Sequence, residues 1–142
     1  MFLLDTDHIG VLQLGEGQEA KRLRSRMEGY AQHDFYFPIV SFHEQVVGWH
    51  TYANRARKSD GLVRAYRMFQ GILTDFARHQ VAPFDDLSAA QFDALRQQHL
   101  RIGTMDLRIS AIALAHRYTL LSRNAVDFAK VPGLQVEDWT MA

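Results

Sequence analysis

The chain has 142 residues, which is the length of one domain, and we expect residues 1–142 to fold as a single unit. Apolar residues make up 47% and charged residues 23% of it, a composition that excludes disordered, collagen-like and membrane-embedded classes. The 16 basic side chains equal the 16 acidic ones, so nucleic acid or anionic lipid would have to bind at a local patch. Cysteine is absent, which excludes disulfide bonds, thiolate zinc sites and a cysteine nucleophile.

The amino terminus has no basic region and reaches the acidic Asp5 after a short apolar run. We therefore expect neither a signal peptide nor a membrane anchor, and no later stretch is apolar over the length needed to cross a bilayer. Together with the absence of cysteine, this predicts a cytoplasmic protein.

The first half of the chain predicts two strands, each followed by a pair of helices. Short apolar or β-branched runs predict the strands, and apolar residues at spacings of three and four predict the helices. Ser41 is a candidate N-cap for the third helix. The predicted strands are Phe2–Leu4 and Phe35–Val40, and the predicted helical segments are Ile9–Tyr30 (two helices interrupted at Gly15-Glu16-Gly17), Phe42–Arg57 and Gly61–Arg78.

The second half continues the alternation with three strands and two helices. Ser88 opens the first of these helices and Gly103 ends it, whereas Thr104 is a candidate N-cap for the second, which is so apolar that it must lie in the core. Strands alternating with helices predict an α/β fold, a three-layer α/β/α sandwich around a central, mainly parallel sheet. The predicted strands here are Val81–Phe84, Thr119–Ser122 and Leu134–Trp139, and the apolar helix is Met105–Tyr118.

Four acidic residues fall where predicted strands end or predicted helices begin. Asp5 follows the first strand, and Asp127 lies shortly after the fourth. Glu44 and Asp106 lie in the first turns of two helices. Because ligands of an open parallel sheet bind beyond the carboxyl ends of its strands, we expect these four carboxylates to converge on one rim.

Helix capping offers a purely structural explanation for two of these acids. Ser41 with Glu44 fits a capping box, and Asp106 places negative charge at the amino end of a helix. Capping does not account for Asp5, because an acid directly after a buried strand adds nothing to packing and must be paired or desolvated. The four acids together therefore favour a shared function.

Carboxylates that converge raise each other's pKa and remain ionised together only if a cation holds them. Oxygen ligands without cysteine favour Mg²⁺ or Mn²⁺ over zinc. Such ions catalyse phosphodiester cleavage by activating water, neutralising the scissile phosphate and stabilising the leaving oxygen. Hydrolysis of a phosphodiester is the activity that this chemistry predicts.

Four segments around these acids form an ordered set of motifs. They are Leu3-Leu4-Asp5-Thr6-Asp7, Ser41-Phe42-His43-Glu44, Met105-Asp106-Leu107-Arg108-Ile109-Ser110-Ala111-Ile112-Ala113-Leu114 and Ser122-Arg123-Asn124-Ala125-Val126-Asp127-Phe128. The set resembles the motifs of PIN-domain ribonucleases, and of VapC-type toxins in particular. The stretch from Phe128 to Trp139 is similar to the ending of that subfamily, so the resemblance runs from end to end.

The resemblance implies a Mg²⁺- or Mn²⁺-dependent endoribonuclease that uses metal-activated water and is the toxin of a toxin–antitoxin pair. Its metal ligands would be Asp5, Glu44 and Asp106, with Asp127 or Asn124 at a variable fourth place, where we favour Asp127 because it is charged. The implied partners are RNA, an antitoxin that blocks the site and a second copy of the chain. The side chains beside these acids that are candidates to contact the substrate are Thr6, Arg108, Arg123 and Asn124.

Two other functions remain open. A noncatalytic module of the same fold would bind RNA or a protein partner, although the presence of all the main acids weighs against it. A haloacid-dehalogenase-like phosphatase would use Asp5 and Asp7 as nucleophile and acid. That enzyme also needs a lysine and a late acidic pair, and no lysine of the chain follows a clear strand.

Histidine and basic side chains add weaker signals. His43-Glu44 begins a zinc-protease motif, but Val47 stands where the second histidine is required. His8 is a candidate for the rim of the acidic site. Basic clusters within residues 21–26 and 55–67 would guide RNA toward the acids or else form solvated helix faces.

Overall fold

A single parallel sheet forms the centre of the computed structural model, which describes residues 1–142. The strands are β1 (Phe2–Leu4), β2 (Phe35–Pro38), β3 (Val81–Ala82), β4 (Thr119–Leu121) and β5 (Val136–Glu137). Their order is β3-β2-β1-β4-β5, and every neighbouring pair is parallel. The chain thus builds outward from β1 in both directions, which creates a crevice beyond the carboxyl ends of β1 and β4.

Seven α-helices connect and cover the strands. They are α1 (Thr6–Leu14), α2 (Gln18–Met27), α3 (Ile39–Arg55), α4 (Ser59–Arg78), α5 (Asp86–Arg96), α6 (Thr104–His116) and α7 (Ala125–Phe128). Helix α3 packs against α4, and α5 packs against α6. No helix is both long and apolar enough to cross a membrane.

The side chains of β1 alternate between two cores, one on each face of the sheet. Phe2 and Leu4 belong to a core that includes residues of α1, α2 and α4. Leu3 belongs to a second core with Ile109 and Ile112 of α6. A strand that is buried on both faces must be apolar throughout, as this one is. The predicted three-layer α/β/α sandwich around a parallel sheet is confirmed.

The carboxyl-terminal segment closes the first core. The Trp139 side chain is almost fully buried, and its ring centroid lies 4.7 Å from that of Phe2 and 5.5 Å from that of Tyr30. The Arg26 guanidinium lies over the same indole, 4.7 Å from its centroid. This packing holds the end of the chain beside α1, close to the start of the crevice.

Two predicted N-caps are wrong. Helix α3 begins at Ile39 with Pro38 as its N-cap, so Ser41 is a buried residue inside the helix and forms no capping box with Glu44. Proline has no N–H and a fixed φ, which allow a helix to start directly after it even though Ile39 and Val40 favour a strand. Helix α6 begins at Thr104, and its N-cap is Gly103.

Several element boundaries also differ from the prediction. Helix α1 begins at Thr6 and not at Ile9, because Asp5 caps it. Helix α5 begins at Asp86 and not at Ser88, because the Asp85 carboxylate accepts a hydrogen bond from the Ser88 N–H, 2.9 Å away. The structure also ends β2 at Pro38, β3 at Ala82, α5 at Arg96 and α6 at His116, and it limits the last strand to Val136–Glu137.

Candidate metal centre

Asp5 lies at the crevice between β1 and β4. Its N–H donates to the Leu121 carbonyl at 2.9 Å, and its side chain is 5% exposed. One carboxylate oxygen, Oδ1, accepts from the Thr6 N–H at 2.8 Å, which makes Asp5 the N-cap of α1. The expectation that helix capping does not account for Asp5 is therefore wrong. Capping alone does not require an acid, however, because a neutral serine or asparagine also caps a helix without placing a charge in a buried position.

Glu44 and Asp106 approach Asp5 from helices on opposite sides of the sheet. Each of the three residues offers a carboxylate oxygen, and these oxygens all lie within 4.8 Å of one another. Glu44 lies in the second turn of α3, since that helix starts earlier than predicted, and Asp106 lies in the first turn of α6. The structure thus brings together three of the four acids that the sequence analysis singled out.

Two hydroxyl groups hold two of these carboxylates in place. The Thr6 hydroxyl donates to Glu44 Oε1 at 2.8 Å and lies 2.9 Å from the Ser41 hydroxyl. The Ser122 hydroxyl donates to Asp5 Oδ2 at 2.8 Å. Thr6 was predicted to contact substrate, whereas in the structure its hydroxyl contacts a carboxylate of the site.

The electrostatics of the site indicate a shortage of positive charge. Burial, together with the nearby Asp7 carboxylate, raises the pKa of Asp5 from 3.8 to about 7 despite hydrogen bonds from Ser122 and Thr6. Burial and the charge of Glu44 likewise raise the pKa of Asp106. A divalent cation would remove this repulsion, and three carboxylates with no nitrogen or sulfur ligand suit Mg²⁺ or Mn²⁺. The donor set therefore fits the ion that the sequence analysis expects.

Asp127 stands beside the three acids and not among them. Its carboxylate accepts from the Asn124 amide at 3.0 Å and pairs with Lys130 Nζ at 3.0 Å, and these hydrogen bonds lower its pKa. Its charge nevertheless raises the pKa of Asp106, which a hydrogen bond from Asn124 partly offsets. Asn124 thus lies between two acids, and Lys130 neutralises the outer one.

The two arginines predicted to contact phosphate have other partners in the structure. Arg123 Nη1 lies 2.9 Å from a carboxylate oxygen of Glu19, and both side chains are largely exposed. The Arg108 guanidinium lies 6.0 Å from the centre of the Phe92 ring, and its Nη1 is 3.6 Å from the Met105 sulfur. Only the first of these cations is exposed enough to exchange its partner for a ligand.

His8 and Asp7 form a buried network beside the site, which the sequence analysis did not identify. His8 is fully buried and not at a rim, and its Nδ1 lies 2.7 Å from Asp7 Oδ1. The other oxygen of Asp7 accepts from the Arg123 N–H at 3.0 Å and lies 3.2 Å from the Ser122 hydroxyl. The apolar residues around His8 in the sequence gave one signal, because a histidine on the buried face of a helix needs polar partners.

Comparisons with known proteins support the resemblance. No family model matches the chain. A segment of 42 residues is 45% identical to Ribonuclease VapC1 of Rickettsia felis and covers 30% of this chain and 31% of that protein, so the chain spans about a third of the length of the curated relative it matches. The fold is similar to DNA-bound VapBC from Salmonella typhimurium (TM-score 0.76, 18% identity, 97% of both chains) and to FitAcB from Neisseria gonorrhoeae (TM-score 0.71, 24% identity, 100% of both chains).

Fold and site together define an α/β protein with an acidic centre at the crevice of a parallel sheet. The fold is that of the VapC-type PIN domain, and the resemblance to VapC-type proteins predicted from the four motifs is confirmed.

The raised pKa of Asp5 predicts how stability depends on pH without metal. Between pH 4 and 7 the folded protein holds a proton on Asp5 that the unfolded chain has released, so this group makes the folded state less stable as pH rises through that range. Asp5→Asn should therefore raise the thermal midpoint at pH 8 and change it little at pH 4.5. The pKa shift of Asp5 from 3.8 to about 7 corresponds to at most about 4 kcal/mol in the free energy of unfolding.

Asp127→Asn is the matched control, because the pKa of Asp127 is lowered. A lowered pKa makes the ionised carboxylate stabilise the folded state, so the dependence of stability on pH is reversed. This variant should therefore lose stability at pH 8 relative to pH 4.5. Thermal unfolding in chelator at both pH values measures the two effects. If Asp5→Asn lowers the thermal midpoint at pH 8, the result would contradict the claim that burial of the Asp5 carboxylate destabilises the fold at that pH.

Proposed function

We propose that the protein is a Mg²⁺- or Mn²⁺-dependent endoribonuclease and the toxin of a toxin–antitoxin pair. The observation that carries the proposal is the convergence of carboxylate oxygens from Asp5, Glu44 and Asp106 within 4.8 Å of one another. The similarity to Ribonuclease VapC1 supports the same activity. A cluster of like charges at the mouth of a sheet crevice destabilises the fold, so it needs a functional explanation.

In this proposal Asp5, Glu44 and Asp106 hold the cation, and Thr6 and Ser122 orient two of them. A bound Mg²⁺ or Mn²⁺ supplies charge neutralisation at the phosphate and lowers the pKa of water. The residues around it fix the carboxylates before the ion arrives, because Asp5 is buried and both of its oxygens accept hydrogen bonds. A site fixed in this way loses little conformational entropy when the cation binds.

We assign the fourth place to Asp127, with Asn124 between it and Asp106. An ionised carboxylate attracts a divalent cation far more strongly than an amide oxygen does. The Lys130 ammonium holds Asp127 in the metal-free state, and this exposed pair contributes little to stability, so a cation can displace it. Asn124 is then the group that orients a phosphate or the adjacent acids.

RNA is the proposed substrate. Arg123 is adjacent to Asn124 and pairs with Glu19 only through an exposed contact, which a phosphate can replace. The basic cluster at the junction of α3 and α4 is solvent-exposed and suits the RNA backbone at a distance from the acids. The members of that cluster are Arg55, Arg57, Lys58, Arg64 and Arg67.

Neither alternative function has comparable support. A phosphatase would need Asp7 as a free acid, but both of its oxygens accept hydrogen bonds, and these lower its pKa in spite of burial. A noncatalytic binding module would not require three carboxylates around one point. The antitoxin partner is supported by the similar structures, which are VapBC and FitAcB.

The activity predicts a clear effect of removing one metal ligand. Asp106→Asn keeps the shape of the side chain but removes its charge, so cleavage of single-stranded RNA in Mg²⁺ should fall by more than about 100-fold, the upper range for loss of a group that only supports a ligand. Because the pKa of Asp106 is raised, the variant should be no less stable than the wild type at pH 8 in chelator. Undiminished cleavage by the folded variant would contradict the proposal.

Asp127→Asn is the matched control in the same assay. It should raise the Mg²⁺ concentration for half-maximal cleavage and leave the maximal rate nearly unchanged, whereas Asn124→Ala should mainly lower the maximal rate. The opposite pattern would assign the fourth place to Asn124.

A second copy of the chain is the other proposed partner. Helix α4 exposes Leu62, Tyr66 and Leu73 on one face, and these side chains are 40%, 62% and 65% exposed. We therefore expect sedimentation at micromolar concentration to give a dimer, and Leu73→Glu to give a monomer, since a buried charge destabilises an apolar interface. Leu87→Glu changes an equally exposed leucine on α5 and should remain dimeric. A monomeric wild type would contradict this assembly.

A further inference from the structure

The buried His8 imidazole has a defined tautomer. Its Nε2 accepts a hydrogen bond from the backbone N–H of Trp139, at 3.2 Å, so Nε2 carries no proton. The proton of the neutral ring is therefore on Nδ1, which donates to Asp7 Oδ1 at 2.7 Å. His8 thus links the carboxyl-terminal segment to the Asp7 carboxylate.

The second oxygen of Asp7 points toward the turn after β4. It accepts from the Arg123 N–H at 3.0 Å and lies 3.2 Å from the Ser122 hydroxyl. That hydroxyl lies 2.8 Å from Asp5 Oδ2 and accepts from the Asn124 N–H at 3.0 Å. Asp7 therefore contacts the backbone and the side chain that set the positions of Asp5 and Asn124.

We infer that Asp7, held by His8, is a positioning residue of the metal centre. It fixes the 122–124 turn, and with it the Ser122 hydroxyl that orients Asp5 and the backbone that presents Asn124. The inference rests on the proposed function. It also gives the carboxyl-terminal segment a role at the site, because the backbone N–H of Trp139 holds the His8 imidazole, which in turn holds Asp7.

A purely structural role would stabilise the fold through the same contacts, so the experiment must separate stability from cation affinity. Two variants of His8 do this, because asparagine places its amide near the position of Nδ1 and glutamine near that of Nε2. His8→Asn keeps a donor toward Asp7 and loses the bond from Trp139, whereas His8→Gln keeps an acceptor for Trp139 and loses the donor to Asp7. Each loses one buried hydrogen bond, so their thermal midpoints should fall by similar amounts.

Calorimetric titration with Mn²⁺, without RNA, provides the readout. We expect His8→Gln to weaken Mn²⁺ binding by about 10-fold or more, the range for loss of a group that supports a metal ligand, and His8→Asn to stay within about threefold of the wild type. Equal affinity in all three proteins, or equal weakening in both variants, would overturn the inference. A wild type that binds no Mn²⁺ would overturn the proposed function as well, so the two failures are distinguishable.

Asp7→Asn gives a second measurement that does not depend on how well a His8 variant folds. It keeps the side-chain shape but can no longer accept on both sides, and Mn²⁺ affinity should again fall by about 10-fold. Asp138→Asn controls for the loss of a nearby charge, since that carboxylate lies 3.7 Å from His8 Nε2 and bonds to Thr140 rather than to any residue of the acidic site. Affinity that is unchanged by Asp7→Asn, or lowered equally by both variants, would contradict the positioning role.

Discussion

The repulsion between carboxylates around Asp5 is the constraint on which the site depends. Asp5 follows a strand that is buried on both faces and is itself only 5% exposed, so its carboxylate is largely excluded from water. Glu44 comes from α3, which packs mainly on the face of the sheet that bears Phe2 and Leu4, and Asp106 comes from α6, which packs on the opposite face with Leu3. The fold therefore keeps three acids together, and the energetic cost appears as the raised pKa values of Asp5 and Asp106.

The surrounding polar groups limit this repulsion without removing it. Thr6 and Ser122 each direct a hydroxyl at one carboxylate, and the Thr6 backbone N–H provides a further donor to Asp5. None of these groups carries a positive charge. The Lys130 ammonium pairs with Asp127, which lies outside the group of three acids. Under the proposed function a divalent cation supplies the missing charge, so metal affinity and metal-free instability would be two consequences of one arrangement.

The fold and the three central acids could be predicted because they depend on patterns that are local in the sequence. Apolar strands alternate with helices, and in a parallel sheet the residues that follow strands share one edge. Asp5 and Asp106 were assigned to that edge from their positions alone. The N-caps were harder to predict from the sequence. Ser41 and Thr104 are residue types that favour the N-cap position, but α3 and α6 begin earlier than predicted and include them.

The hydrogen-bonded network behind the site could not be predicted from local patterns. The contacts of His8 with Trp139 and of Asp7 with Arg123 join residues that are more than 100 positions apart. They depend on how the last segment packs against α1, which residue types alone do not specify. Helical spacing likewise does not predict that Tyr66 is 62% exposed, because an aromatic residue at such spacing usually lies in the core.

The position of a bound cation tests the central claim most directly. Crystals grown with Mn²⁺ permit anomalous diffraction at the manganese edge, which locates the ion independently of any assay of activity. The account predicts one strong peak in contact with carboxylate oxygens of Asp5, Glu44 and Asp106. Manganese bound only elsewhere, or absent from these three acids at a concentration that saturates the protein in solution, would contradict it.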